Sequence, residues 1–287
     1  MRATAQWSRR ISERFGPQTA HRAVVHLRHY AAEYLVVGQG QPLVLVPGLA
    51  GGHELLSPLV QRLARHFQVI CFPLRGDHDP MFARQPHTLA ELAADVADFQ
   101  NTLLLERPAL AGVSFGSAVA LEFALRYPRK TGPLILHGLE PRFRDSLGGR
   151  IARLALEKFP LPHDNPFFNQ FFRLLFARRE SVGPLFDFVI KQCWKTDQGV
   201  MVSRLALLAD FDVRARLKTV TAPTLVVSGQ DDAIVPAAGQ RRLAQSIPDS
   251  RFKLIPNAGH LCFLTRTNSF VRTITEFLTP LHSPAFA

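Results

Sequence analysis

A serine held between two glycines, Gly112-Val113-Ser114-Phe115-Gly116, constrains this chain more than any other stretch. A short apolar run, Pro108-Ala109-Leu110-Ala111-Gly112, leads into it, and the helix-like run from Ser117 to Arg126 follows. The context reads as strand, sharp turn, helix. A turn this tight strains the backbone of the serine. Side chains two residues to either side would collide with each other or with the neighbouring strand, which accounts for the paired glycines. The turn lifts the hydroxyl clear of the sheet, into the space above the strand ends.

A serine hydroxyl is a weak nucleophile near neutral pH, so this reading demands a base and a group to orient it. Downstream, Thr224 to Gly229 reads as a buried strand whose following loop carries Asp231 and Asp232. Phe252 to Ile255 reads as another strand, followed by Pro256-Asn257-Ala258-Gly259-His260. Ser114, Asp232 and His260 thus each stand just past a strand end. In a parallel sheet all such ends lie along one edge, where residues distant in sequence converge.

Strand and helix alternate through most of the chain. Strands are expected near 31–37, 43–47, 68–73, 108–113, 132–137, 223–228 and 251–256, and helices over 53–66, 88–105, 115–127, 238–247 and 268–280. The helix at 88–105 is the best defined. Thr88 and Glu91 form a capping-box pair, and Leu89, Leu92, Ala93, Val96, Phe99 and Leu103 line one face.

Residues 141–214 break the alternation and read as an inserted helical cap. Within it, Phe167, Phe168, Phe171, Phe172 and Leu175 fall on one helical face. That face packs onto the cap's own core or the main domain, or roofs the site and favours an apolar acyl or aromatic substrate, and one helix can do both; a membrane-surface role is a third option.

Several stretches together resemble the α/β-hydrolase fold superfamily in its cap-bearing, esterase/lipase-like form. Val44 to Gly52 resembles the first oxyanion loop, with Pro47 where a histidine is usual. Leu74-Arg75-Gly76, the helix–strand–turn–helix pattern from His87 to Pro128, Gly229-Gln230-Asp231-Asp232 and Gly259-His260 carry the rest. The likeness covers roughly residues 31–140 and 215–280. It implies an α/β fold whose mostly parallel central sheet is flanked by helices. Its domains would be an extension at 1–30, a core at 31–140 and 215–287, and a helical cap or lid at 141–214.

The resemblance also implies a serine hydrolase cleaving a carboxylic ester or related acyl compound. Ser114 is then the nucleophile, His260 the general base and Asp232 its orienting acid, in the chain order of this fold. Backbone N–H groups of Leu49 and Phe115 would bind the oxyanion. Acyl transfer, C–C bond hydrolysis and perhydrolysis use the same groups, and a non-catalytic small-ligand binding protein is the alternative of another class. No cofactor or metal is expected. Departures from the family pattern, at Pro47, Pro73, Ser117 and Thr265, leave the triad untouched and the substrate open.

Other residues compete for these roles. Asp231 adjoins Asp232 but reads as a loop or cap residue, and Glu140 is a positional rival for the acid. His53 and His137 lie near site-facing loops and read as structural or solvent-exposed. Asp77-His78-Asp79 reads as a polar loop, since no second cluster supports a metal.

Composition narrows the setting. The chain has 287 residues, 47% of them hydrophobic, with no apolar run of bilayer-spanning length. The first residues carry charge with no apolar segment after them, which argues against a secretory signal. Cys71, Cys193 and Cys262 are scattered and odd in number, which fits reduced thiols and a cytoplasmic location. The net charge of +11 is dispersed, without a nucleic-acid motif or interleaved aromatics, and reads as a solvated basic surface, with attraction to anionic membranes or polymers as the alternative; the partner that the resemblance implies is a small molecule. Oligomeric state is left open.

Overall fold

The computed structural model describes residues 20–77, 87–143, 154, 156–158, 172–176 and 183–281. Eight strands form one sheet: β1 His21–His26, β2 Ala31–Val37, β3 Pro42–Val46, β4 Gln68–Cys71, β5 Ala109–Val113, β6 Leu134–His137, β7 Thr224–Gly229 and β8 Ser250–Ile255. Their spatial order is β1-β2-β4-β3-β5-β6-β7-β8. The pairs β1–β2 and β2–β4 are antiparallel, and every other pair is parallel.

The first strand, which the sequence pattern did not predict, lies within the segment 1–30 expected as an extension and begins the sheet at His21. This edge strand is mostly exposed and buries only Val25 fully. It therefore lacks the apolar alternation by which a half-buried strand is recognised. Residues 1–19 lie outside the described residues.

Nine helices are described: α1 Gly52–Leu55, α2 Ser57–Leu63, α3 Leu89–Thr102, α4 Phe115–Arg126, α5 Pro184–Cys193, α6 Gln198–Ala209, α7 Ala237–Ser246, α8 Cys262–Thr265 and α9 Thr267–Leu281. The single helix expected at 53–66 is in fact α1 and α2. Pro58, in the first turn of α2, has no N–H for a continuous helix and fits a helix start instead.

Alternate residues along each strand feed two cores, one per face of the sheet. Val44, Val46, Ile70 and Phe72 pack with α3 and α4. Leu43, Leu45, Val69 and Cys71 pack with α2 and α9. The capping box of Thr88 and Glu91 starts α3 as the sequence predicts. On its buried face, Phe99 meets Tyr34 and Phe72 edge-on, with ring centroids 5.5 and 5.1 Å apart. Such geometry suits the aromatic quadrupole.

Strand order also locates the crevice. From β3 the chain crosses by α2 to β4 on one side, then returns by α3 to β5 on the other. The C-terminal ends of β3 and β5 therefore flank a topological switch point, where open α/β sheets bind ligands. The loop after β3 and the turn at Ser114 stand side by side there. Farther along, the chain leaves the sheet through a paired stem. Phe143 donates to the Phe211 carbonyl at 3.1 Å and Val213 to that of Pro141 at 3.0 Å. Between the two sides of this stem, around the bridge of Arg142 and Asp212, come α5 and α6.

Candidate active site

Ser114 sits at φ 53° and ψ −118°, a backbone region that side chains rarely occupy. The fold pins it there. A β-carbon on Gly112 would stand 2.5 Å from the Gly116 carbonyl, and one on Gly116 would stand 2.3 Å from those of Val46 and Pro47. Both glycines are thus required by close backbone approach. The Ser114 N–H donates to the His137 carbonyl at 2.8 Å. Ser117, one of the departures noted above, ties the turn to β6: its hydroxyl accepts from the His137 N–H at 2.9 Å. It also lies 2.7 Å from the Gly112 carbonyl.

His260 reaches Ser114 from the loop after β8. Its Nε2 lies 3.0 Å from Ser114 Oγ, and its Nδ1 lies 2.9 Å from Asp232 Oδ2. With a proton on Nδ1 donated to the carboxylate, Nε2 is left to accept from the serine hydroxyl. Two backbone bonds bring the loops after β7 and β8 together: Gln230 N–H to the Ile255 carbonyl and Asp231 N–H to the Ala258 carbonyl, each 2.9 Å.

Asp232 is held on every side. Its Oδ1 accepts from the N–H groups of Ile234 and Val235, both at 2.9 Å. The Gln240 amide donates to Oδ2 at 3.1 Å, while its oxygen accepts from the Gly138 N–H at 2.9 Å. Burial pushes the Asp232 carboxyl up, yet the charge and hydrogen bond of His260, with the bonded N–H groups, outweigh it. The net shift is below the ordinary carboxylate value.

Gln240 and Gly138 went unrecognised in the sequence. Gly138 has φ +68°, and a β-carbon there would stand 2.6 Å from Cε1 of His260. A glycine after a strand end was the available signal.

The rivals fall elsewhere. Asp231 is exposed. Glu140 faces Arg242 at 3.6 Å. His53 is buried on α1, 3.4 Å from Glu54. His137 is fully buried beneath His260, its ring nitrogens 2.9 Å from the Val227 carbonyl and 2.7 Å from the His260 carbonyl. Burial first, then the neighbouring His260, lower its pKa, against the two carbonyl contacts, which raise it. Asp77 pairs with Arg204 at 2.7 Å; His78 and Asp79 lie outside the described residues. Among the described residues no group of three metal-ligating side chains gathers.

Leu49 follows Gly48 on the loop after β3, and Phe115 is the first residue of α4. The N–H of a first helical residue has no acceptor inside its own helix. Both residues border the cavity that opens at Ser114. Residues between β6 and β7 brace this loop: the Gly51 N–H donates to Thr196 Oγ1 at 2.9 Å, and the buried guanidinium of Arg204 donates to the Leu49 carbonyl at 2.9 Å. Arg204 was not anticipated, since nothing in a helical pattern separates a buried arginine from a solvated one.

The cavity has a volume of about 280 Å³ and contains Ser114 and His260 in its wall. Phe143, Phe172, Leu175, Met201, Leu205 and Leu208 contribute to the rest. No acid, lysine or arginine is among its described lining residues. Phe172 packs edge-on against Trp194, with centroids 5.9 Å apart. The Leu261 N–H donates to the Leu175 carbonyl at 2.9 Å, joining the segment around Leu175 to the histidine loop. Phe167, Phe168 and Phe171 lie outside the described residues. Cys193 also lines the cavity, its thiol pushed by burial to a pKa of about 12.

Comparison with known proteins agrees with this architecture. The family model described as alpha/beta hydrolase fold matches residues 41–267. A protein named as carbamate hydrolase RutD from Caulobacter sp. strain K31 is 27% identical over 250 residues, covering 83% of this chain and 91% of that protein. The pimeloyl-(acyl-carrier protein) methyl ester esterase of Legionella pneumophila strain Paris is 28% identical over 248 residues, covering 84% and 96%. A thermophilic esterase from Thermogutta terrifontis superposes with a TM-score of 0.77 at 25% identity, over 92% of this chain and all of that one. The chain belongs to the α/β hydrolase fold family and is an enzyme of that family.

Proposed function

We propose that the protein is a serine hydrolase acting on a carboxylic ester, or a related acyl compound, with an apolar acyl or aromatic portion. The observation that carries this reading is the chain of hydrogen-bond contacts Ser114–His260–Asp232, at 3.0 and 2.9 Å, opening into an apolar cavity. His260 takes the proton from Ser114 as the hydroxyl attacks the acyl carbonyl, then gives it to the leaving group. Asp232 holds the imidazole in the required tautomer and stabilises the imidazolium that forms. The N–H groups of Leu49 and Phe115 bind the developing oxyanion. Water then attacks the acyl-enzyme, with His260 again as base.

The cavity wall supports the apolar substrate portion, because a buried charge without a partner is costly and the described wall offers none. Buried, unpaired thiols at Cys71, Cys193 and Cys262 are in keeping with a reducing, cytoplasmic setting.

Turnover of p-nitrophenyl esters of increasing acyl length tests the reading. Wild type should hydrolyse them with an optimum at a chain that fills the cavity. Ser114→Ala should lower kcat by about 10⁴-fold or more. Equal turnover by that variant would place the activity elsewhere.

A further inference from the structure

Arg204 occupies an unusual position for a cationic side chain. It projects from the middle of α6, in the cap segment, and is 1% exposed. Nη1 lies 2.9 Å from the Leu49 carbonyl and 3.4 Å from the Gly48 carbonyl. Nη2 donates to the Arg75 carbonyl at 2.9 Å and to Asp77 Oδ1 at 2.7 Å. Its guanidinium carbon lies 5.8 Å from the Phe115 ring centroid. Asp77 supplies the counter-charge, and the Leu74 N–H donates to its other oxygen at 3.1 Å.

A buried ion pair stabilises a fold no better than well-packed apolar side chains would. What the guanidinium touches is therefore informative. The Gly48 carbonyl and the Leu49 N–H belong to one peptide unit, and the Leu49 carbonyl belongs to the next. A cation on both carbonyls fixes the two peptide planes and draws electron density from them. The N–H of the first unit becomes a better-aimed and stronger donor. The loop carries Pro47 immediately before Gly48, so it has no polar side chain there to brace it from within the core. Arg204 supplies a brace from the cap.

We propose that Arg204 is a positioning residue for the oxyanion site: it orients and polarises the Gly48–Leu49 peptide, and it makes assembly of that site depend on docking of the cap. The proposal rests on the reading of Leu49 as an oxyanion donor. Arg204 touches neither the serine nor its substrate. It acts through the peptide.

The test compares wild type, Arg204→Met and Arg204→Lys in p-nitrophenyl ester turnover and in inhibition by a matched pair, an alkyl trifluoromethyl ketone and its alcohol. The ketone forms a tetrahedral serine adduct bearing an oxyanion, and the alcohol does not. Loss of a whole oxyanion donor costs about 10²–10³ in rate, so misaiming one should cost less, about 10- to 100-fold in kcat. Arg204→Met should show that loss with KM within about threefold of wild type, and its ketone affinity should fall in parallel while alcohol affinity holds. Arg204→Lys keeps the charge but cannot span the same acceptors, so it should fall between. If Arg204→Met does not fold, Arg204→Lys carries the comparison with the same readouts.

Retention of kcat and ketone affinity within about twofold would overturn the proposal. So would equal weakening of ketone and alcohol, which marks a collapsed pocket. The underlying reading fails separately. In that case wild type itself would bind the ketone no more tightly than the alcohol.

Discussion

Gly138 and His260 are in contact across the end of the sheet: a β-carbon at position 138 would stand 2.6 Å from Cε1 of the imidazole. The glycine also adopts φ +68°, which a side chain would strain. Space for the ring is thus built into the loop after β6, from which the Gly138 N–H also holds Gln240 against Asp232.

Gly138→Ala should therefore damage activity more than folding. The added methyl displaces the His260 ring, and a misplacement of about 1 Å can cost on the order of 10²-fold in rate. Ester kinetics should show kcat/KM reduced by about 10- to 100-fold. A thermal melt should show a cooperative transition at a moderately lower Tm. Unchanged kcat/KM would mean that the ring position does not govern turnover.

Asp232 makes stability depend on pH with a definite sign. Its folded-state pKa lies below the ordinary 3.8. The resulting stabilisation is present above the unfolded value and is lost as pH falls through the folded one. Urea unfolding of wild type and Asp232→Asn should show a stability gap at about pH 5 that closes progressively below about pH 4. A gap that widens from about pH 5 to about pH 3 would reverse the assignment.

Cys193 lines the same cavity as Ser114, yet its thiol is pushed up to about 12 by burial. The nucleophilic thiolate is therefore scarce at ordinary pH. Iodoacetamide at pH 8 should leave ester turnover of the folded protein unchanged over the time in which free glutathione is consumed. Rapid inactivation, abolished in Cys193→Ala, would show a reactive thiol in the site.

The sequence was most legible where geometry permits few residue types. At Gly112, Ser114 and Gly116 the backbone contacts and positive φ of the turn admit little else. The strands at the middle of the sheet were equally legible, because burial on both faces leaves continuous apolar runs such as Leu43 to Val46. Edge strand β1 was not, since exposure removes that signature. Gln240 and Arg204 were invisible for another reason. Each acts through hydrogen bonds to groups far away in the chain, and those partners exist only once the loops after β3, β6 and β7 have converged. The break between α1 and α2 at Pro58 was legible in principle, but the apolar periodicity continues across it.

The central claim is that the Ser114 hydroxyl is the group activated at this site. Intact-mass and peptide analysis after treatment with an alkyl fluorophosphonate tests it most directly. The account predicts one adduct per chain, located on Ser114 and absent from Ser114→Ala. An adduct of equal yield in that variant, or none on well-folded wild type, would contradict it.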